Sequence, residues 1–145
     1  MATLRKEEGR ALQLAKDALA AAIREDWPQV ASKLQDIAEF GPRGLERAML
    51  GFCDTAIARS GVRPGQPMRI RFRRGDGDQR VTDADGVPRP EVAWAGRMLA
   101  ARAAGDEDAW RALLTSVPDA EFGRHVGALL EMCALVTASA KKGGA

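Results

Sequence analysis

The stretch FGRHVGALLEMCALVT, residues 122–137, decides the fold. Phe122, Val126, Leu129, Leu130, Cys133, Val136 and Thr137 recur at steps of three and four, the spacing that lines one face of an α-helix. Arg124, Glu131 and Ala134 fall on the other face. Eighty positions earlier Ala48, Met49, Leu50, Phe52, Cys53 and Ala56 stand opposite Ala128, Leu129, Leu130, Met132, Cys133 and Val136, so the two cysteines of the chain coincide. Ala18-Leu19-Ala20-Ala21 lies opposite Met98-Leu99-Ala100-Ala101, again at 80, whereas Trp27 and Val30 align with Trp110 and Leu113 at 83. A three-residue change of offset belongs in a loop, where surface chain tolerates insertion. The expectation is two three-helix units, residues 3–60 and 90–140, joined by 61–89. If the match reflects only an Ala- and Leu-rich chain, a six-helix bundle still follows from the periodicities.

The remaining helices are read outward from that stretch. Thr3 is placed to cap a first helix with Leu12, Ala15, Leu19, Ala22 and Ile23 at helical spacing. Asp26-Trp27-Pro28-Gln29 reads as a capping box with proline in the first turn, and Trp27, Val30, Leu34 and Ile37 form the second helix's buried edge. Gly41-Pro42 is expected to end that helix, and a third runs from about Arg43 to Ser60, stopped by Gly61. A fourth starts near Pro90 with Trp94, Ala95, Met98 and Leu99 inward. Gly105 and Asp106-Glu107-Asp108 separate it from a fifth carrying Trp110, Leu113, Leu114 and Val117. Ser116-Val117-Pro118-Asp119 reads as a capping box for the sixth helix, and Lys141 to Ala145 as a frayed tail.

Between Gly61 and Pro90 helical periodicity is lost. Met68-Arg69-Ile70-Arg71-Phe72-Arg73 alternates strictly, the pattern of a half-buried strand. Gly75-Asp76-Gly77-Asp78 supplies turn residues and Gln79 to Thr82 a returning strand. The fold class expected is therefore mainly α: a single six-helix domain over 1–145, with a short β-hairpin at about 68–82 between the third and fourth helices.

Composition bounds the function. A chain of 145 residues can bury roughly 70% of its unfolded surface in one domain. The sequence holds 27 Ala and 17 Arg against 5 Lys, with no Asn or Tyr, a bias that points to a GC-rich, bacterial genome. A net charge of +2 is too small to demand a nucleic-acid or membrane partner. The N-terminus lacks the apolar segment of a secretory signal, and no uncharged run approaches the roughly 20 residues of a membrane-spanning helix. A cytoplasmic protein is expected. Cys53 and Cys133 then read as small buried hydrophobes rather than as a disulfide framework.

Motifs for chemistry are sparse. The sequence contains no G-x-x-x-x-G-K, G-x-G-x-x-G or G-x-S-x-G, and its one histidine precludes H-E-x-x-H. Asp83-Ala84-Asp85-Gly86 resembles part of an EF-hand loop, but that alignment sets Val81 and Val92 where ligands are required. His125 and Cys133 are eight residues apart on one helix, about 12 Å along its axis, too far for a nucleophile–base pair; His125 is expected at an exposed or boundary position. No catalytic residue, cofactor or metal is assigned.

Charge is the one feature above background. Residues 59–80 carry seven basic and two acidic side chains, while the flanking segments are slightly acidic. Arg69, Arg71 and Arg73 share one strand face, with Arg63, Arg74 and Arg80 nearby, and guanidinium groups suit carboxylate or phosphate recognition. These arginines either protect an exposed strand and pair with Asp106, Glu107 and Asp108, or they meet an acidic protein, or they meet nucleic acid. The leading expectation is a non-enzymatic interaction or scaffold module that self-associates as a homodimer or meets another protein through Arg63, Arg69, Arg71, Arg73, Arg74 and Arg80. A nucleic-acid-associated regulator using the same arginines is the alternative. A small-molecule-binding domain with a pocket near Trp27, Trp94 and Trp110 is the second.

Overall fold

The computed structural model describes residues 2–63, 65, 72–73, 81–82 and 89–143, with side chains for 9–63, 65 and 89–139. Six helices pack together: α1 (Ala2–Ile23), α2 (Trp27–Ala38), α3 (Gly41–Ser60), α4 (Pro90–Ala104), α5 (Glu107–Thr115) and α6 (Asp119–Gly143). Between α3 and α4, β1 (Phe72–Arg73) pairs antiparallel with β2 (Val81–Thr82), Phe72 opposite Thr82 and Arg73 opposite Val81. The rest of the expected hairpin lies outside the described residues.

Local chemistry sets several helix ends. The Asp26 carboxylate accepts from the Gln29 backbone N–H at 3.4 Å to cap α2, and that of Asp106 accepts from Ala109 N–H at 3.0 Å to cap α5, each satisfying an N–H that has no partner within the helix. Gly61 (φ +83°) and Gly105 (φ +71°) close α3 and α4 in the left-handed conformation that glycine adopts without a Cβ penalty.

Four boundaries depart from expectation. α1 begins at Ala2, so Thr3 lies inside it rather than at its cap. Pro42 stands in the first turn of α3, where its missing N–H costs nothing, so Gly41-Pro42 opens that helix instead of closing α2. Ser116 ends α5, its hydroxyl donating to Leu113 O at 2.7 Å, and does not cap α6. Lys141 and Lys142 belong to the last turn of α6 rather than to a tail.

α3 and α6 form the centre, α1 lying against α3 and α4 against α6, with α2 across α1 and α3 and α5 across α4. Met49, Phe52 and Cys53 of α3 and Leu129, Leu130 and Cys133 of α6 are fully buried. Each large apolar side chain removed from water there contributes about 1.5–3 kcal/mol. α1 approaches α3 closely because its buried face is largely alanine, and the Cα of Gly51 faces Leu12 and Ala15. That face runs through Ala11, Leu14, Ala15, Ala18, Leu19 and Ala22, so Leu12 and Ile23, both expected inward, sit at its exposed edges.

Burial repeats along the chain at an offset of 80. Leu14 and Trp94, Ala15 and Ala95, Ala18 and Met98, Leu19 and Leu99, Val30 and Trp110, Ile37 and Val117, Met49 and Leu129, and Cys53 and Cys133 are all buried. Backbone bonds repeat as well: Asp26 N–H donates to Ala21 O and Asp106 N–H to Ala101 O, both at 2.9 Å, while Val30 N–H reaches Asp26 O and Trp110 N–H reaches Asp106 O, both at 3.1 Å. The offset of 83 expected for the second and fifth helices is thus corrected to 80. Trp110 corresponds to Val30, and the counterpart of Trp27 is Glu107.

Candidate functional site

The two cysteines are free and fully buried, Cys53 on α3 and Cys133 on α6, two helices that pack against each other. The Cys133 thiol, and then burial, push the Cys53 thiol well above its ordinary range. The thiol stays protonated at neutral pH and does not behave as a ready nucleophile.

His125 is buried, contrary to the exposed or boundary position expected. Its Nδ1 lies 2.8 Å from Glu121 O, one turn back, and acts as the donor because a carbonyl only accepts. Trp94 meets the imidazole edge-on at 5.2 Å between centroids, and Phe122 at 6.5 Å meets Trp94. Aromatic closure over the ring, rather than a neighbouring nucleophile, defines its surroundings.

The three tryptophans do not converge. Trp94 is buried and donates from Nε1 to Leu113 O at 2.9 Å, tying α4 to α5. Trp110 is buried and donates from Nε1 to Glu46 Oε1 at 3.3 Å, tying α5 to α3. Trp27, expected on the buried edge of α2, is 47% exposed. A cleft of about 430 Å³ does open between the units, bounded by Pro42, Leu45 and Met49 on one side and Leu114, Val117 and Phe122 on the other, with no tryptophan in its lining.

Of the six arginines expected to form a partner surface, Arg63 is described in full and is exposed. Arg73 lies on β1, opposite Val81. Arg69, Arg71, Arg74 and Arg80 lie outside the described residues. Asp106, a prospective ion partner for them, uses its carboxylate to cap α5.

The most distinctive surface lies where the correspondence between the halves fails. In the second half, Arg102 of α4 reaches Asp54 of α3 with two parallel bonds, Nε to Oδ1 at 2.8 Å and Nη2 to Oδ2 at 3.1 Å. The equivalent positions in the first half are Ala22 of α1 and Ala134 of α6. No ion pair can form between them. Ala22 and Ala134 instead line an open groove of about 570 Å³, with Ile23, Trp27, Leu135 and Ala138 beside them and Glu25 and Glu131 also in its lining. Leu135 is 64% exposed and Ile23 38%, so together with Trp27 three large apolar side chains meet water in one place.

Periodicity hid this groove, because it placed Ala134 outward and passed over Leu135; the structure buries the alanine and exposes the leucine. Glu25 at its edge has φ +60°, the one described non-glycine residue in the left-handed region, where its counterpart is Gly105. Among the described residues no cluster of His, Cys, Asp and Glu has the form of a metal site, and no helix is long and apolar enough to cross a membrane. Comparison with protein-family models, with curated proteins and with solved structures brings no match. Fold and surface together define a small six-helix protein with an apolar groove between α1, α2 and α6.

Proposed function

We propose that this chain is a non-enzymatic, cytoplasmic interaction module whose partner is a second copy of itself. The observation that carries the reading is the groove at Ile23, Trp27 and Leu135, left open where the opposite half is bridged by Arg102 and Asp54. Its apolar floor and its glutamates, Glu25 and Glu131, complement a segment that alternates apolar and basic residues, and Met68 to Arg73 is such a segment. In this reading the span 68–82 is a hairpin arm bearing Arg69, Arg71, Arg73, Arg74 and Arg80, with Arg63 at its base, and the two helical units descend from one duplicated block. The arm of one protomer enters the groove of the other, apolar side chains inward and arginines against the glutamates.

Sedimentation velocity over a wide concentration range tests it. A dimer that weakens with added salt and is lost in Leu135→Asp is the expected result. A monodisperse monomer at every concentration contradicts it. The cleft of about 430 Å³ between the units favours a second reading, a site for an apolar small molecule. A metabolite that raises the melting temperature of wild type but not of a Leu45→Trp variant would support that function instead.

A further inference from the structure

The cleft of about 430 Å³ is lined by two junctions between helices: α2 ends at Ala38 and α3 begins at Gly41 and Pro42, while α5 ends at Thr115 and α6 begins at Asp119. Its volume falls in the range of small-molecule sites, about 300–1,000 Å³. Apolar side chains form most of its walls. Met49 and Val117 are buried, and Leu45, Leu114 and Phe122 are partly buried and packed against the core. The described lining carries two charged side chains, Glu46 and Asp119, both acidic, and no basic one.

Glu46 is held from inside the protein. The buried Trp110 donates from Nε1 to Glu46 Oε1 at 3.3 Å, and a carboxylate so engaged keeps acceptor capacity on both oxygens. Asp119 is the first residue of α6. Backbone dipoles do not set the sign of the cleft, because the N-terminal ends of α3 and α6 favour an anion while the C-terminal ends of α2 and α5 favour a cation. The two carboxylates therefore decide it. A neutral apolar ligand would strip water from them without replacing its hydrogen bonds, and an anion would add repulsion. A cation replaces the lost water with charge-assisted hydrogen bonds.

We propose, resting on the reading of the cleft as a small-molecule site, that its ligand is an amphipathic amine. The hydrocarbon body lies against Leu45, Met49, Leu114 and Phe122, and the protonated amine is held by the carboxylates of Glu46 and Asp119. An ammonium brings three donors and no acceptor, so it can serve both acids.

Calorimetric titration of the full chain at neutral pH with three probes of one skeleton, phenylbutylamine, phenylbutanol and phenylbutyrate, tests the assignment. The expected order of affinity is amine, alcohol, carboxylate, with the amine about ten-fold tighter than the alcohol and the gap narrowing as salt rises. In a variant carrying Glu46→Gln and Asp119→Asn, the amine should fall to the affinity of the alcohol. The alcohol should bind that variant as it binds wild type, which shows the cleft intact, and glutamine at 46 can still accept from Trp110. Leu45→Trp, which fills the cleft, should abolish binding of the amine and the alcohol alike. Alcohol or carboxylate binding as tightly as the amine, an amine preference that survives loss of both carboxylates, or amine binding that persists in Leu45→Trp overturns the proposal. Alcohol binding that Leu45→Trp removes leaves the small-molecule reading standing in each of those cases. Wild type that binds none of the three probes contradicts both.

Discussion

Arg102 and Asp54 are joined by two parallel hydrogen bonds of 2.8 and 3.1 Å, and the two positions that correspond to them eighty residues away hold Ala22 and Ala134. One pair of positions is thus bridged by charge and the other is apolar on both sides. The ion pair is partly exposed, at 37% and 53% for its two side chains, so solvent screening keeps its energetic weight low. Arg102→Ala should cost about 0.5 kcal/mol or less by denaturant titration, and it should leave self-association unchanged.

Glu25 holds φ +60° at the junction of α1 and α2. A side chain there crowds the following carbonyl, and glycine relieves the crowding, as Gly105 does at the equivalent turn. Glu25→Gly should raise stability by about 1 kcal/mol, read as a higher thermal midpoint. It also removes one acid from the groove, so the dimer of the variant should be weaker although its fold is stronger.

Two glycines of α3 should respond oppositely to alanine. A Cβ at Gly44 collides with Phe40 Cβ, an atom held by the backbone that cannot swing aside. Gly44→Ala should destabilise by about 1–3 kcal/mol. A Cβ at Gly51 meets Leu12 Cδ2 at 3.3 Å, the far end of a side chain that reaches the surface. The clash there is relieved by rotation while the helix gains about 1 kcal/mol of propensity, so Gly51→Ala should be neutral or mildly stabilising. Paired urea titrations separate the two outcomes.

Glu91, in the first turn of α4, has its carboxyl held below the ordinary carboxylate value by its own backbone N–H, then by Arg89 at 2.9 Å, with Arg124 adding a favourable field. A carboxyl more acidic in the folded than in the unfolded chain stabilises fully above the unfolded value and loses that contribution as pH falls through the folded one. Glu91→Gln should leave the stability profile unchanged in shape near neutrality and flatten its acid limb below about pH 4.5, the ordinary value for glutamate. Thermal unfolding of both proteins across that range checks the sign.

How much of this is legible in the sequence varies by residue. Trp94, Ala95, Met98 and Leu99 are expected inward from spacing alone and are all buried, because α4 packs against both α5 and α6. Asp26 and Asp106 announce helix starts because a carboxylate three residues before an N–H needs only local geometry to cap it. Trp27 and Trp110 invite alignment by size, but one lies in the first turn of α2 and the other in the middle of α5, where it replaces a buried valine. His125 gave no sign of burial, since the residue that closes over it, Trp94, comes from a different helix. Leu135 was equally opaque: adjacent positions on α6 differ by about 100° in direction, and only the position of α1 decides that the alanine is covered and the leucine is not.

α3 and α6 pack against each other at the centre of the six helices. Nuclear Overhauser spectroscopy on protein labelled at cysteine tests this most directly. It should show cross-peaks from the β-protons of Cys53 on α3 to side-chain protons of α6, present in the reduced monomer and unaffected by Leu135→Asp. Complete absence of such cross-peaks in a well-folded sample, with Cys53 close to residues outside α6 only, would contradict the arrangement.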